Sequence, residues 1–187
     1  MRIAWALAGI CLLCAGIVTA LRGRESAEQA RIESRDKWIN DKISAVKAGQ
    51  THVSLYSCIN TDLMLEKLAG MEQIESVHFQ ETIDLTDNGL RFLQTLPNLK
   101  RLEFSGELSL TNANLVFVSH CEQLKFLSLK CTGVTDAGLN AMSKMTHLEL
   151  FDHYGQFSSE AIESLSKKLP NLEIVDRDAW LKSPANK

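Results

Sequence analysis

Apolar residues return along this chain with a period of 24 or 25 residues from about position 50 onward. One column runs Ile74, Leu99, Leu124, Leu148 and Leu172. Three residues later stand Val77, Leu102, Leu127, Phe151 and Val175. Two further on come Phe79, Phe104 and Leu129, then His153 and Arg177, where the column decays. Val53 and Leu55 fit the last two columns and place an earlier unit ahead of these. Two apolar residues separated by one polar residue is the alternation of a strand, whose side chains point to opposite faces in turn. Each period therefore predicts one short strand.

Six or seven residues past the strand a second pattern recurs: Thr61-Asp62-Leu63-Met64-Leu65, Thr86-Asp87-Asn88-Gly89-Leu90, Thr111-Asn112-Ala113-Asn114-Leu115, Thr135-Asp136-Ala137-Gly138-Leu139 and, degraded, Ser158-Ser159-Glu160-Ala161-Ile162. Thr and Asp start helices because their oxygens accept from the unpaired amides of a first turn. Apolar residues follow at every third position, as in Leu90, Leu93 and Leu96 or Leu139, Met142 and Met145, and Pro97 and Pro170 close two of the helices. A unit of this size cannot bury its apolar face alone, so neighbours stack. The fold class expected is α/β: a short solenoid of about five strand-turn-helix units over residues 51–177, with a parallel sheet on its concave face and a tail at 178–187.

The N-terminal fifty residues follow other rules. Ile3 to Leu21 holds no charge, with Arg2 before it and Arg22 and Arg24 after it. Its length predicts a membrane-directed segment over 1–21: a retained single-pass anchor, or an export signal cleaved after Ala20 at the small-x-small triplet Val18-Thr19-Ala20. Residues 22–50 are rich in Ala, Glu, Lys and Arg and lack proline, which predicts a helix ending at Gly49. Trp38, Ile39, Ile43 and Val46 share one face of it, a stripe suited to capping the open first repeat.

Charge narrows the function. Twenty basic and 23 acidic residues are well mixed and leave a formal net charge of −3, so nucleic acid is excluded as an expected partner. The five cysteines, Cys11, Cys14, Cys58, Cys121 and Cys131, show no zinc or redox context, and no cofactor or metal is expected. Cys121 occupies the helical slot of Leu96 and Met145 and should be buried and inert.

The segment Leu124 to Leu139, LKFLSLKCTGVTDAGL, and its four weaker copies resemble the leucine-rich repeat family. The subtype is L-x-x-L-x-L followed by V/I-T-D-x-G-L, seen in cysteine-containing repeats of ubiquitin-ligase adaptors and in many exported bacterial proteins. The resemblance covers about residues 52–176. Residues 22–50 carry no F-box-like segment, so it points to the exported type and implies protein binding without catalysis.

Strand positions between and beside the core columns face outward. They read His52, Ser54, Tyr56; Ser76, His78, Gln80; Arg101, Glu103, Ser105; Phe126, Ser128, Lys130; Leu150, Asp152, Tyr154. Aromatic and arginine side chains dominate interface energetics. Phe126 beside Leu150 is the expected centre of a partner-binding patch, flanked by Arg101 and Lys130, with Tyr56 and Tyr154 as further anchors and His78, Glu103 and Asp152 between them. The central column, Ser54, His78, Glu103, Ser128, Asp152, Asp176, superficially aligns a Ser-His-Glu set. A flat sheet surface has neither a strained nucleophile turn nor an oxyanion pocket, so a hydrolase is the remote alternative. The expected function is a non-catalytic, membrane-tethered or exported module that binds a protein partner. A scaffold or assembly factor of an organelle or membrane complex is the alternative.

Overall fold

A computed structural model describes residues 2–57, 61–82, 85–106, 110–130 and 132–182; the side chains of residues 2–22 and of Trp180 are outside that description. Two compact units are present, residues 1–42 and residues 43–187. In the first, helix α1 begins; it runs Arg2–Lys47 and ends in the second. Gly49 stops it with φ of 104°, in the left-handed region open to glycine, while Gln50 N–H donates to Ala45 O and Gly49 N–H to Val46 O. Ile39 and Val46 are buried, and Trp38 and Ile43 are half-buried.

Among the described residues no helix is long and apolar enough to cross a membrane. The single-pass placement expected from the uncharged run is therefore corrected. That run is not a separate span closing at Leu21; the helix continues through the charged residues 22–47 without a break.

The second unit is an alternation of strands and helices: β1 (His52–Tyr56), α2 (Thr61–Leu68), β2 (Ser76–Gln80), α3 (Asp87–Leu93), β3 (Arg101–Ser105), α4 (Asn112–Ser119), β4 (Phe126–Lys130), a 3₁₀ turn (Asp136–Gly138) leading into α5 (Leu139–Met142), β5 (Leu150–His153), α6 (Ser159–Lys168), β6 (Glu173–Asp176) and α7 (Arg177–Lys182). The six strands form one parallel sheet in chain order, and helices of successive units pack on one another from α2 to α6. Ladder pairs such as Val77 with Leu102 and Leu102 with Leu127 lie in the expected register. Val53, Leu55, Val77, Phe79, Leu102, Phe104, Leu127, Leu129 and Phe151 are fully buried, and Phe79 and Phe104 stack with ring centroids 4.9 Å apart. The leading column, Ile74 to Leu172, is buried throughout. Just before each of the first four strands, one carbonyl accepts two amides from the next unit; Glu75 O, for example, takes Lys100 N–H and Arg101 N–H.

The last strand is out of the expected phase by one residue. Phe151 pairs with Ile174 and Asp152 with Val175, so neither Val175 nor Asp176 holds the place the period assigns it. The unit is one residue shorter between Leu172, which keeps its buried place, and the strand. Asp176 therefore stands opposite His153, and Arg177 opens α7 rather than filling a core position.

Candidate partner-binding face

Strand alternation leaves three outward columns on the sheet. The first joins His52, Ser76, Arg101, Phe126, Leu150 and Glu173; the second joins Ser54, His78, Glu103, Ser128, Asp152 and Val175; the third begins Tyr56, Gln80, Ser105, Lys130. All nine candidate residues belong to this face or its rim, Tyr154 lying just past the end of β5.

Outward does not mean exposed. Phe126 is only 8% accessible, against the expectation that it projects into open solvent. The Arg101 guanidinium lies 3.5 Å from its ring centroid, within the range of a cation–π contact, and Leu150 is its ladder neighbour on the other side. With adjacent strands about 4.8 Å apart, a long side chain on the next strand covers a ring that alternation alone would leave bare. Arg101 Nε also pairs with Glu103 Oε1 at 2.7 Å. Leu150 is half-buried.

A second stack forms across the third column, where Lys130 Nζ lies 5.1 Å from the centroid of the half-buried Tyr154 ring. Tyr56, at the far end of the sheet, is 61% exposed. Between the two stacks lie Ser128 and Asp152, 6% and 5% accessible. Asp152 Oδ2 accepts from Arg177 Nε at 3.0 Å, while Oδ1 is buried without a hydrogen-bond partner. Sequence reasoning missed Arg177 as a member of this face, because the period placed it in the core. The signal for it was an arginine, after His153, in a column that is apolar in the earlier units.

The Ser-His-Glu alignment is not wired as a triad. His78 Nε2 is 3.1 Å from Ser105 Oγ, two residues along from Glu103, and Glu103 is held by Arg101. His52 Nδ1 is likewise 2.9 Å from Ser76 Oγ. No carboxylate orients either imidazole through its second nitrogen in any hydrogen bond among the described residues, so the relay that makes a serine nucleophilic is not assembled. Among the described residues no group of three or more His, Cys, Asp or Glu side chains is placed to hold a metal ion.

Two groups beneath the face have perturbed acidity. His153 is buried on the inner side, its ring 5.7 Å from Phe151 and 5.5 Å from Phe157, with Nδ1 unpartnered. Burial pulls its pKa below the ordinary 6.5, and Asp176 and Asp152 oppose that only in part. Cys121 is buried as expected, and loss of solvation pushes its thiol up to about 12. Cys58 and Cys131, and the side chains of Cys11 and Cys14, lie outside the described residues.

No family model and no curated protein matches the chain. The α/β architecture with its six-stranded parallel sheet is thus established by the fold itself, and the choice of face rests on its side chains.

Proposed function

We propose that this chain is a leucine-rich-repeat-type interaction protein, without catalytic activity, that holds a protein partner on the outer face of its parallel sheet. The observation that carries this reading is the fixing of large side chains on that face before any partner arrives. Arg101 is clamped between Glu103 and the Phe126 ring, and Lys130 lies over Tyr154. Side chains already held in place lose little rotational freedom on binding, which removes one of the main costs of association. Arginine and tyrosine are also the residue types that concentrate binding energy.

Capture of partners by the immobilised full chain tests the reading when wild type is run beside face and helix variants. Tyr56→Ala combined with Lys130→Ala alters two exposed face residues, and Lys67→Ala on α2 is the control. Loss of a true hot spot weakens binding by about 2 kcal/mol, roughly thirtyfold. A partner retained by the face variant and released by Lys67→Ala would place the interface on the helices and overturn the proposal.

A further inference from the structure

We infer that β6 and α7 form a latch that acid releases: a proton taken up by His153 detaches them from β5 while the sheet from β1 to β5 stays folded. The geometry sets His153 and α7 in competition for the same two carboxylates. His153 ends the inward face of β5, 4% accessible and covered by Phe151 and Phe157. Its ladder neighbours are Leu129 on β4 and Asp176 on β6, and Asp152 precedes it on its own strand. The remaining charges near it among the described residues belong to α7, which packs on both β5 and β6 and carries Arg177, Asp178 and Lys182. Lys182 pairs with Asp178 at 2.6 Å, so those two cancel.

Both carboxylates are already committed to α7. Asp176 Oδ1 accepts the N–H groups of Asp178 at 3.0 Å and Ala179 at 3.2 Å, which caps the helix, and Asp152 Oδ2 accepts from Arg177 Nε at 3.0 Å. An imidazolium donates from both nitrogens, yet Nδ1 of His153 is buried without an acceptor among the described residues. A charged ring must draw Asp176 off the first turn of α7 or remain buried and unpaired, and either weakens the hold on that helix. Burial outweighs the pull of Asp176 and Asp152, which holds the pKa of the ring below the ordinary 6.5 in the closed latch. Opening brings water to the ring, so protons favour the open form. The release is local because this end of the sheet is held least: β6 is an end strand with one neighbour, and its residues are exposed or half-buried. Release takes Glu173, Val175 and Arg177 off the outer face and bares the edge of β5.

The test is amide hydrogen exchange of the full chain, read by mass spectrometry at pH 7.5 and pH 5.5, each rate divided by that of the unfolded chain at the same pH. Protection of residues 173–182 should fall several-fold, towards the limit of about tenfold that a histidine opening to a pKa of about 6.5 allows one unit below it. Amides of β2, β3 and β4 should keep their protection, and in His153→Leu residues 173–182 should keep theirs as well. Unchanged protection of 173–182 in wild type, an equal fall in β2 to β4, or an equal fall in folded His153→Leu overturns the inference. Where His153→Leu does not fold, the first two comparisons, made in wild type alone, decide. No partner enters the experiment, so its failure leaves the binding face untouched.

Discussion

The carboxylate of Asp62 in one unit holds Thr86 at the helix start of the next: Oδ1 accepts Thr86 N–H at 2.9 Å, and Oδ2 accepts the Thr86 hydroxyl. The same link recurs from Asn112 to Thr135, whose N–H donates to Asn112 Oδ1 at 2.8 Å, and from Asp136 to Ser158 N–H at 3.0 Å. The hydrogen bonds to Ser158 hold the Asp136 carboxyl below its usual range. Where the third unit has Asn114 in place of glycine, Asn114 accepts from Thr111 N–H at 2.8 Å and donates to Asp87 at 2.6 Å, so one amide bridges the two units. These contacts give the Thr-Asp-x-Gly-Leu pattern its physical meaning. The acid or amide caps the following unit, and the glycine makes room for the preceding one.

Gly89→Ala should therefore destabilise the fold by about 1 to 3 kcal/mol, the range for a group forced into filled space. A Cβ at Gly89 would overlap the Asp62 carboxylate, which could move aside only by releasing Thr86. Urea denaturation of Gly89→Ala, Asp62→Ala and the double variant checks this. The glycine substitution should be milder once Asp62 is gone, and strictly additive effects would show that the clash is not with that carboxylate.

Phe126→Ala should lower stability as well as partner affinity, by about 0.5 to 3 kcal/mol in unfolding, because the ring is nearly covered. Arg101→Ala should show part of that loss, with a coupling energy to Phe126 of about 0.5 to 1 kcal/mol in a double-mutant cycle. A Phe126→Ala melt identical to wild type would mean that the ring stands open. Binding on this face is thus cleanly reported by Tyr56 and Lys130 and not by Phe126.

Leu127→Ala and Leu102→Ala, both with no accessible surface between the layers, should each cost about 2 to 5 kcal/mol. That is a large share of the stability of a domain this size. Melting temperatures no lower than those of an exposed control such as Lys125→Ala would contradict the assigned inward column.

The inward columns were legible in the sequence because core positions admit few residue types, so Ile74 to Leu172 and Val77 to Phe151 announce themselves by repetition. Helix starts were legible at Thr86, Thr111 and Ser158 for the same reason. The phase of the last strand was not, since Ile174 and Val175 are both apolar and either could face inward; only strand pairing decides. With that phase went the Asp152–Arg177 pair, which joins residues the period set in different columns. Phe126 was placed on the right face, yet its cover comes from Arg101, 25 residues earlier in the chain, and nothing local to Phe126 specifies it. The Asp62–Thr86 link was likewise read as two features of separate helices.

Cys121 should resist alkylation in the native protein, since a thiol with a pKa pushed up to about 12 is almost wholly protonated at neutral pH and the thiolate is the reactive form. Peptide mapping after brief iodoacetamide treatment, with and without denaturant, reads it apart from the other cysteines. Labelling of Cys121 at equal rates in both conditions would place it at the surface.

His153 should make the fold acid-sensitive. Its pKa in the folded chain lies below the 6.5 of an exposed histidine, chiefly because burial among Phe151 and Phe157 disfavours the charged ring, with Asp176 and Asp152 pulling weakly the other way. Between the folded and unfolded values the unfolded chain holds a proton that the native chain does not, so protons in that window favour unfolding. The stabilisation from neutral His153 is present in full above about pH 6.5 and is lost as pH falls through the folded value. Melting temperatures taken from pH 7.5 downward should fall for wild type before the carboxylates begin to titrate. His153→Leu, which keeps an apolar group in the same inward position, should flatten that part of the curve even if its melting temperature at pH 7.5 differs. The Asp136 carboxyl, with its lowered pKa, would add its own loss only at lower pH, below the ordinary carboxylate value of 3.8. Parallel curves for the two proteins between pH 7.5 and 5 would mean that His153 takes up its proton in the folded chain as readily as in the unfolded one.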